Sequence, residues 1–267
     1  MTSTTPQTPA LPLTGALNAR DLAGLPVTGG HVATGRVLRA DALTALTDSD
    51  RALLADRDLG TVIDFRTPTE IELYGADLLP TGTRLQSLPI PDVSADGAAA
   101  LGPLILAGDV DGVAALLGDG RAAQIMDDGY AALVRRPAAR TAFTAALATL
   151  ADTDTALLYH CQAGKDRTGW MTALVLTVLG ADTAVIVDDY LASNAFLAAR
   201  NEALYTRLAD GGIDPELLRP LTEQRAEYLT RALSVAAEDY GSMREYLHRG
   251  LGVDDARADR LRARLLA

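Results

Sequence analysis

Residues 157–169 read L-L-Y-H-C-Q-A-G-K-D-R-T-G, and this stretch decides the fold. A central buried strand is predicted over residues 156–159, because they are apolar and bounded by polar residues. A tight loop containing Gly164 follows, and a helix is predicted from Thr168 to Gly180. A loop between a strand and a helix N-terminus directs backbone N–H groups and the positive end of the helix dipole at one point. The stretch therefore predicts an anion site.

Cys161 and Arg167 open and close this loop. The helix dipole and the two basic residues of the loop favour the thiolate form of Cys161 over the thiol. A thiolate beside a bound phosphate group is placed for nucleophilic attack on phosphorus. Arg167 is expected to hold two phosphate oxygens through its planar fork, and Thr168 to place its hydroxyl on the thiolate. The spacing predicts phosphoryl transfer to Cys161 and then hydrolysis of the cysteinyl-phosphate.

The rest of the loop is expected to form the phosphate-binding site. Gly164 permits the sharp turn that a close approach of backbone to phosphate requires. Lys165 adds a second positive charge, as a substrate with more than one phosphate would need. The residues expected to contact phosphate or substrate are Gln162, Ala163, Gly164, Lys165, Asp166 and Arg167.

Two carboxyl groups lead the candidates for the general acid that protonates the leaving oxygen. Asp166 lies in the loop itself, and Asp92 follows a predicted strand; strand-end Asp64 is the third candidate. The cations beside Asp166 stabilise its ionised form, which weighs against Asp166 as a proton donor. Position favours Asp166, and Asp92 stays open as the alternative.

Several further polar residues are predicted to support the loop and not to react. His160 ends the buried strand and is expected to hydrogen-bond the loop backbone. An ion-pair network that braces the loop is expected from Arg20, Asp21, Asp64 and Arg66. The chain has three histidines and one cysteine, which do not form a metal-ligand pattern, so no metal and no cofactor are expected.

The order of predicted elements indicates the fold class. Strands are predicted over residues 61–66 and 84–90, and residues 31–39 are expected to pair across the glycine turn at 29–30 as a β-hairpin. Everything after Asp182 is predicted to be helical. Strands that alternate with helices and are followed by a helical region predict an α/β fold, with a small and mostly parallel sheet flanked by helices.

The predicted domain organisation is simple. Residues 1–13 are polar and punctuated by proline, which predicts a disordered tail. Residues 14–267 contain no linker and are expected to form a single domain. The segment at about 96–151 is predicted to be helical, with glycine and proline breaks, and is long for a crossover connection. It is expected to be a helical insertion or lid over the sheet.

Composition excludes several classes of partner. The net charge of −11 opposes binding to nucleic acid and to anionic membrane surfaces. The apolar run at residues 170–179 is too short to span a bilayer. One cysteine cannot form an internal disulfide, which fits a reducing compartment, and no signal peptide is visible. The cytoplasm is the expected location, and export without a signal peptide stays open.

The loop resembles that of a known family. The pattern H-C-x-x-G-x-x-R-T-G at residues 160–169 matches the signature of the protein tyrosine phosphatase superfamily. The filled loop is similar to the atypical bacterial branch typified by mycobacterial tyrosine phosphatase B. Residues 18–24 resemble the N-x-R-D-L-G-G segment of that branch, with Ala23 where glycine is usual. Residues 62–70 resemble its D-L-R-x-x-x-E stretch, and the resemblance covers most of the chain outside 96–135.

The resemblance implies a cysteine-dependent phosphatase fold without a metal, and a helical lid in some members. It implies activity on phosphotyrosine, and in some members on phosphoserine, phosphothreonine and phosphoinositides. In that branch the loop aspartate has the acid role, which supports Asp166. The main hypothesis is a protein-tyrosine phosphatase with a phosphorylated substrate. The alternatives are a phosphatase of a small metabolite or a phosphoinositide, and a non-catalytic phosphate-binding module.

Overall fold

The computed structural model describes residues 8–267, and its centre is a five-stranded sheet. The strands are β1 (Arg20–Asp21), β2 (Pro26–Val27), β3 (Gly30–His31), β4 (Val37–Ala40), β5 (Leu59–Asp64), β6 (Arg84–Ser87) and β7 (Ala156–His160). The order in the sheet is β1-β4-β7-β5-β6; β1 is antiparallel to β4, and the other pairings are parallel. The predicted α/β fold with a mostly parallel sheet is confirmed.

Helices cover both faces of this sheet. They are α1 (Asp48–Asp56), α2 (Pro68–Tyr74), α3 (Leu101–Ala107), α4 (Val110–Leu117), α5 (Arg121–Arg135), α6 (Pro137–Asp152), α7 (Asp166–Leu179), α8 (Thr183–Asp210), α9 (Arg219–Thr222), α10 (Ala226–Tyr240), α11 (Met243–Glu245) and α12 (Asp255–Leu265). A 3₁₀ turn lies at Pro215–Leu217 and a π turn at Tyr246–Gly250. Within residues 8–267, none of these helices has the length and apolar character needed to cross a bilayer.

β7 lies at the centre of the sheet because both of its faces are apolar. Successive side chains of a strand point to opposite faces. Leu157 and Tyr159 pack in the larger core, together with Trp170 of α7, whereas Leu158 packs in a smaller core with Leu54 of α1. A strand that is apolar at every position is expected inside a parallel sheet. This placement brings the carboxyl end of β7, and the loop that follows it, to the middle of one sheet edge.

The predicted N-terminal tail is wrong for its described part. Leu11 and Leu13 are buried in the smaller core. The backbone N–H of Leu11 donates to the carbonyl oxygen of Ala19 at 2.9 Å. Two leucines therefore fix residues 8–13 against the sheet, although the local composition is that of a tail. Residues 1–7 of the predicted tail lie outside the described residues.

The predicted hairpin is correct only near its turn. β2 and β3 pair across the glycine turn, but they contribute two residues each. β4 pairs instead with β1 and β7, inside the main sheet. All four residues of β4 are buried, and an isolated two-stranded ribbon could not bury a strand on both faces.

Residues 96–151, expected to be a helical insertion, contain α3, α4, α5 and most of α6. α5 and α6 pack on the larger core through Tyr130 and Phe143. α4 packs elsewhere, in a third cluster with Tyr205 and Leu208 near the end of α8. In this segment, α5 and α6 therefore support the sheet, whereas α4 packs with the end of α8.

Candidate active site

The loop after β7 is held tightly against the end of β4. Gly164 has φ +65°, in the left-handed region that favours glycine. A Cβ atom at Gly164 would lie 2.4 Å from the carbonyl oxygen of Ala40. The N–H of Ala42 donates to the carbonyl oxygen of Gln162 at 3.2 Å. These contacts fix the loop around Cys161, which is 2% exposed.

We expect Gly164→Ala to destabilise the protein by roughly 3 kcal/mol or more, because the added methyl meets backbone that cannot move aside. Gly24→Ala is the matched control: Gly24 has φ +78°, and a Cβ there would meet nothing within 4 Å. The control should cost about 1 kcal/mol, the backbone strain alone. Urea unfolding of both variants measures the two free energies. Equal losses would contradict the close contact of Gly164 with β4.

Arg167 is the most extensively hydrogen-bonded side chain of the loop. Its Nη1 donates to the carbonyl oxygens of Phe65 and Ile90 at 3.3 and 2.9 Å. Nη1 and Nη2 bind the two carboxylate oxygens of Glu70 at 2.8 and 2.6 Å. Nη2 also lies 3.1 Å from Asp92 Oδ2. Glu70 and Asp92 therefore set the orientation of the guanidinium group.

The surroundings of Arg167 stabilise its protonated, positively charged form. Burial acts to lower the pKa of Arg167, but Cys161, Glu70 and Asp92 outweigh burial and raise it. The Nε atom is buried and has no hydrogen-bond partner among residues 8–267. A buried unpaired donor is costly unless a ligand satisfies it. Nε is therefore a donor that a bound acceptor oxygen could satisfy.

The two acid candidates occupy different surroundings. The side chain of Asp92 is 38% exposed, and its Oδ1 accepts from the N–H and hydroxyl of Ser94 at 3.0 and 2.7 Å. Desolvation acts to raise the pKa of Asp92, but Arg167, Ser94 and Lys165 outweigh it and lower the pKa. Asp166 is buried. Lys165 Nζ lies 2.9 Å from Asp166 Oδ2, and the Tyr130 hydroxyl donates to Oδ1 at 2.7 Å.

His160 contacts the loop backbone, where the sequence placed it. Its Nδ1 lies 3.1 Å from the carbonyl oxygen of Cys161, and its Nε2 lies 3.0 Å from Asp77 Oδ2. Burial acts to lower the pKa of His160, but Asp77 and Asp64 raise it further than burial lowers it. Arg66 Nη2 joins the same group, 2.9 Å from both Asp64 and Asp77. A buried ionic cluster therefore supports one side of the loop.

The same cluster contains the donors that could hold a metal ion. One ligand atom from each of Asp64, Asp77 and His160 lies within 4.8 Å of the others. The guanidinium of Arg66 already bridges the two carboxylates. A metal ion would compete with this cation for the same oxygens, so the cluster fits an ion-pair network better than a metal site.

A second buried cluster supports the opposite side of the loop. Arg20 Nε and Arg39 Nη1 bind the two carboxylate oxygens of Asp189 in α8, at 3.0 and 2.6 Å. Arg39 Nη2 and Asn18 Nδ2 donate to the carbonyl oxygen of Gly164, at 2.8 and 3.0 Å. The predicted brace is thus two clusters, and Asn18, Arg39, Asp77 and Asp189 were not predicted to belong to it.

Two predicted contacts are not formed. Asp21 lies outside both clusters, because its carboxylate accepts from the N–H groups of Ala23 and Gly35 and so links the end of β1 to the segment before β4. The hydroxyl oxygen of Thr168 is buried but has no hydrogen-bond partner in the described chain, so it does not hydrogen-bond Cys161.

The chain is similar to known tyrosine phosphatases. A model of the tyrosine phosphatase family matches residues 11–267. Triple specificity protein phosphatase PtpB of Mycobacterium tuberculosis is 34% identical over 275 residues, which cover 95% of this chain and 98% of the relative. A Cupriavidus necator protein, assigned by name to the tyrosine-protein phosphatases, is 33% identical over 243 residues, 90% of this chain and 83% of the relative. A structure of P. aeruginosa TpbA with pTyr has 17% identity, coverage of 80% and 96%, and a TM-score of 0.31.

Proposed function

The chain belongs to the tyrosine phosphatase family, and on that premise we propose that it hydrolyses phosphotyrosine in proteins through a cysteinyl-phosphate on Cys161. One observation carries the proposal. Cys161 is buried at the carboxyl end of the central strand, in a loop whose Arg167 is oriented by Glu70 and keeps one unpaired N–H donor. One domain carries the whole reaction, and no metal or cofactor takes part.

The reaction has two steps. The phosphate group binds the backbone N–H groups of the loop, Arg167 Nε and Lys165. Cys161 Sγ attacks phosphorus, so an S–P bond forms and the P–O bond to the leaving group breaks while Asp166 gives that oxygen a proton. Water then attacks the cysteinyl-phosphate, its proton returns to Asp166, and the thiolate leaves as phosphate forms.

Asp166 is the preferred acid and Asp92 the alternative. The pKa of Asp92 is lowered by Arg167, so Asp92 is held ionised in the free enzyme. The ion pair of Asp166 with Lys165 also stabilises a carboxylate, but a bound phosphate would draw the ammonium group towards itself. Asp166 is then left with a neutral donor, the Tyr130 hydroxyl, as its described side-chain partner.

The acid assignment is tested by pH–rate profiles of kcat for an aryl phosphate. A general acid must be protonated, so the rate falls as pH rises through its titration, and loss of the acid removes the basic limb. We expect Asp166→Asn to lower kcat about 10²-fold and flatten the basic limb. Asp92→Asn should keep that limb. The reverse pattern would assign the acid to Asp92.

Substrate class is tested by a panel at matched concentrations. We expect kcat/KM to be higher for phosphotyrosine peptides than for sugar phosphates and nucleotides, by at least about tenfold. Phosphoserine and phosphothreonine peptides belong in the panel, because the PtpB relative is named a triple specificity phosphatase. Equal turnover of small metabolites would favour the metabolite alternative. Preference for a phosphoinositide would support Lys165 as the contact for a second phosphate.

The proposed location is the cytoplasm. Cys161 is the single cysteine of the chain, and a catalytic thiolate needs a reducing compartment to stay active. The proposed partners are phosphorylated substrates. Nucleic acid is not among them, because the net charge of −11 opposes binding to a polyanion.

A further inference from the structure

Three side chains from outside the catalytic loop form a hydrogen-bonded series that ends at Asp166. The Tyr130 hydroxyl of α5 donates to Asp166 Oδ1 at 2.7 Å. The Tyr190 hydroxyl of α8 lies 2.6 Å from that of Tyr130 and 3.0 Å from Gln224 Oε1. All of these residues are buried. The carboxylate of the proposed acid is thus the end of a series of hydrogen-bonded polar groups, all of them buried.

The single proton of each tyrosine hydroxyl determines the direction of hydrogen-bond donation along this series. A tyrosine hydroxyl has one proton to donate. Burial, followed by the nearby Asp166 carboxylate, raises the pKa of Tyr130 and of Tyr190 well above the usual range, so both hydroxyls stay protonated. Since Tyr130 donates to Asp166, its oxygen accepts in the short contact with Tyr190. The direction of donation therefore runs from Tyr190 through Tyr130 to Asp166.

Gln224 is the last member of the hydrogen-bonded series, at the end away from Asp166. Its Nε2 is buried and has no hydrogen-bond partner among residues 8–267. As placed, Gln224 Oε1 accepts from the hydroxyls of Tyr190 at 3.0 Å and of Tyr130 at 3.3 Å, although each hydroxyl has one proton to give. Turning the amide group by 180° sets Nε2, a donor, against the hydroxyl oxygen of Tyr190 and frees the tyrosine protons for donation towards Asp166. The Gln224 backbone is fixed by a reciprocal pair with Asn194 of α8, at 2.7 and 2.8 Å. Gln224, Tyr190 and Tyr130 then each donate to the next group, and the last acceptor is Asp166.

We propose that Tyr130 is a positioning residue for catalysis, and that Tyr190 and Gln224 orient its hydroxyl so that Asp166 is held towards the leaving oxygen. The inference rests on the proposed role of Asp166 as the acid. It gives α5, which belongs to the helical insertion, and α8 an indirect part in the reaction, through Asp166. The titratable groups that face Asp166 are Lys165 of the loop, Tyr130, Tyr190, and Tyr228 of α10.

The leaving group supplies a readout that a purely structural residue would not move. Departure of p-nitrophenolate needs little help from an acid, whereas departure of phenolate needs it fully. We expect Tyr130→Phe to lower kcat for phenyl phosphate about tenfold, and for p-nitrophenyl phosphate about twofold or less, with little change in KM. The basic limb of the phenyl phosphate profile should move up by about one pH unit, because a donor to the carboxylate is lost. Tyr190→Phe should act in the same direction but more weakly.

Tyr228→Phe is the matched control. The Tyr228 ring stacks on Tyr130 with centroids 5.6 Å apart, and its hydroxyl has no hydrogen-bond partner within the described part of the chain. Removing this hydroxyl leaves the stack and the contact with Asp166 in place. The control should therefore keep the wild-type ratio of kcat values for the two substrates, and the wild-type basic limb.

Asp166→Asn, assayed alongside, separates the two proposals. If it shows no leaving-group-dependent loss, the acid role of Asp166 fails. If it shows the loss but Tyr130→Phe behaves like Tyr228→Phe, the positioning role alone is overturned. The double variant Tyr130→Phe with Asp166→Asn should be no slower on phenyl phosphate than Asp166→Asn alone. Both changes remove the same function, proton donation by Asp166, so their effects should not add. A further tenfold loss would show that Tyr130 acts without Asp166 and would also overturn the inference.

Discussion

Replacing Cys161 by serine should lower kcat for phosphotyrosine substrates by at least about 10⁴-fold. Serine fits the buried position at the end of β7, but its hydroxyl is a far weaker nucleophile than the sulfur of cysteine. The loop, Arg167 and its partner Glu70 stay in place, so binding of a phosphotyrosine peptide should be retained within about tenfold. Single-turnover assays and calorimetric titration measure the two quantities separately.

Alkylation of the wild-type protein provides an independent check, because the chain has one cysteine. Iodoacetamide should inactivate the enzyme in proportion to the single label, and inorganic phosphate should protect it by occupying the loop. Hydrolysis by Cys161→Ser at the wild-type rate would exclude the cysteine mechanism. Loss of peptide binding together with a lower Tm would show that the cysteine has a packing role instead.

Elements of the fold that depend on local signals were predictable. The capping box at the start of α2 is such a signal, because Thr67 and Glu70 lie three positions apart and satisfy each other's backbone groups. β7 was predictable from its apolar run. β4 was assigned to the wrong partner, because Arg39 makes the segment look half-exposed. Its charge is neutralised by Asp189 from a distant helix, and no local pattern shows such a pairing.

The candidate site likewise contains residues that the sequence predicts and residues that it does not. The nucleophile and the phosphate-binding arginine follow from one contiguous loop, so their spacing in the sequence is their spacing in space. The groups that orient them come from several segments that lie far apart in the sequence. Glu70 entered only as the last residue of the family-like stretch at 62–70, and Tyr130 only as part of the helical segment at about 96–151, although each contacts a loop side chain directly. A close match to a loop signature therefore predicts the chemistry but not the residues that tune it.

Replacing Arg167 by lysine is expected to lower kcat/KM by about 10³-fold. Lysine keeps the positive charge but has a compact ammonium group in place of a planar fork. It cannot bind both oxygens of Glu70 and a phosphate oxygen together, and the carbonyl oxygens of Phe65 and Ile90 lose a donor. The affinity for inorganic phosphate should fall with kcat/KM, because the same fork holds ground state and transition state. Competitive inhibition by phosphate measures this affinity.

Arg135→Lys is the matched control for this change. Arg135 also makes a two-pronged contact, with both carboxylate oxygens of Asp239 at 2.9 and 3.0 Å, but its side chain is 47% exposed and lies outside the loop. The control should keep wild-type kcat/KM and wild-type stability, because an exposed ion pair contributes little to folding. If Arg167→Lys also kept kcat/KM within tenfold of wild type, charge alone would hold the phosphate. The orientation of the guanidinium by Glu70 would then have no part in catalysis.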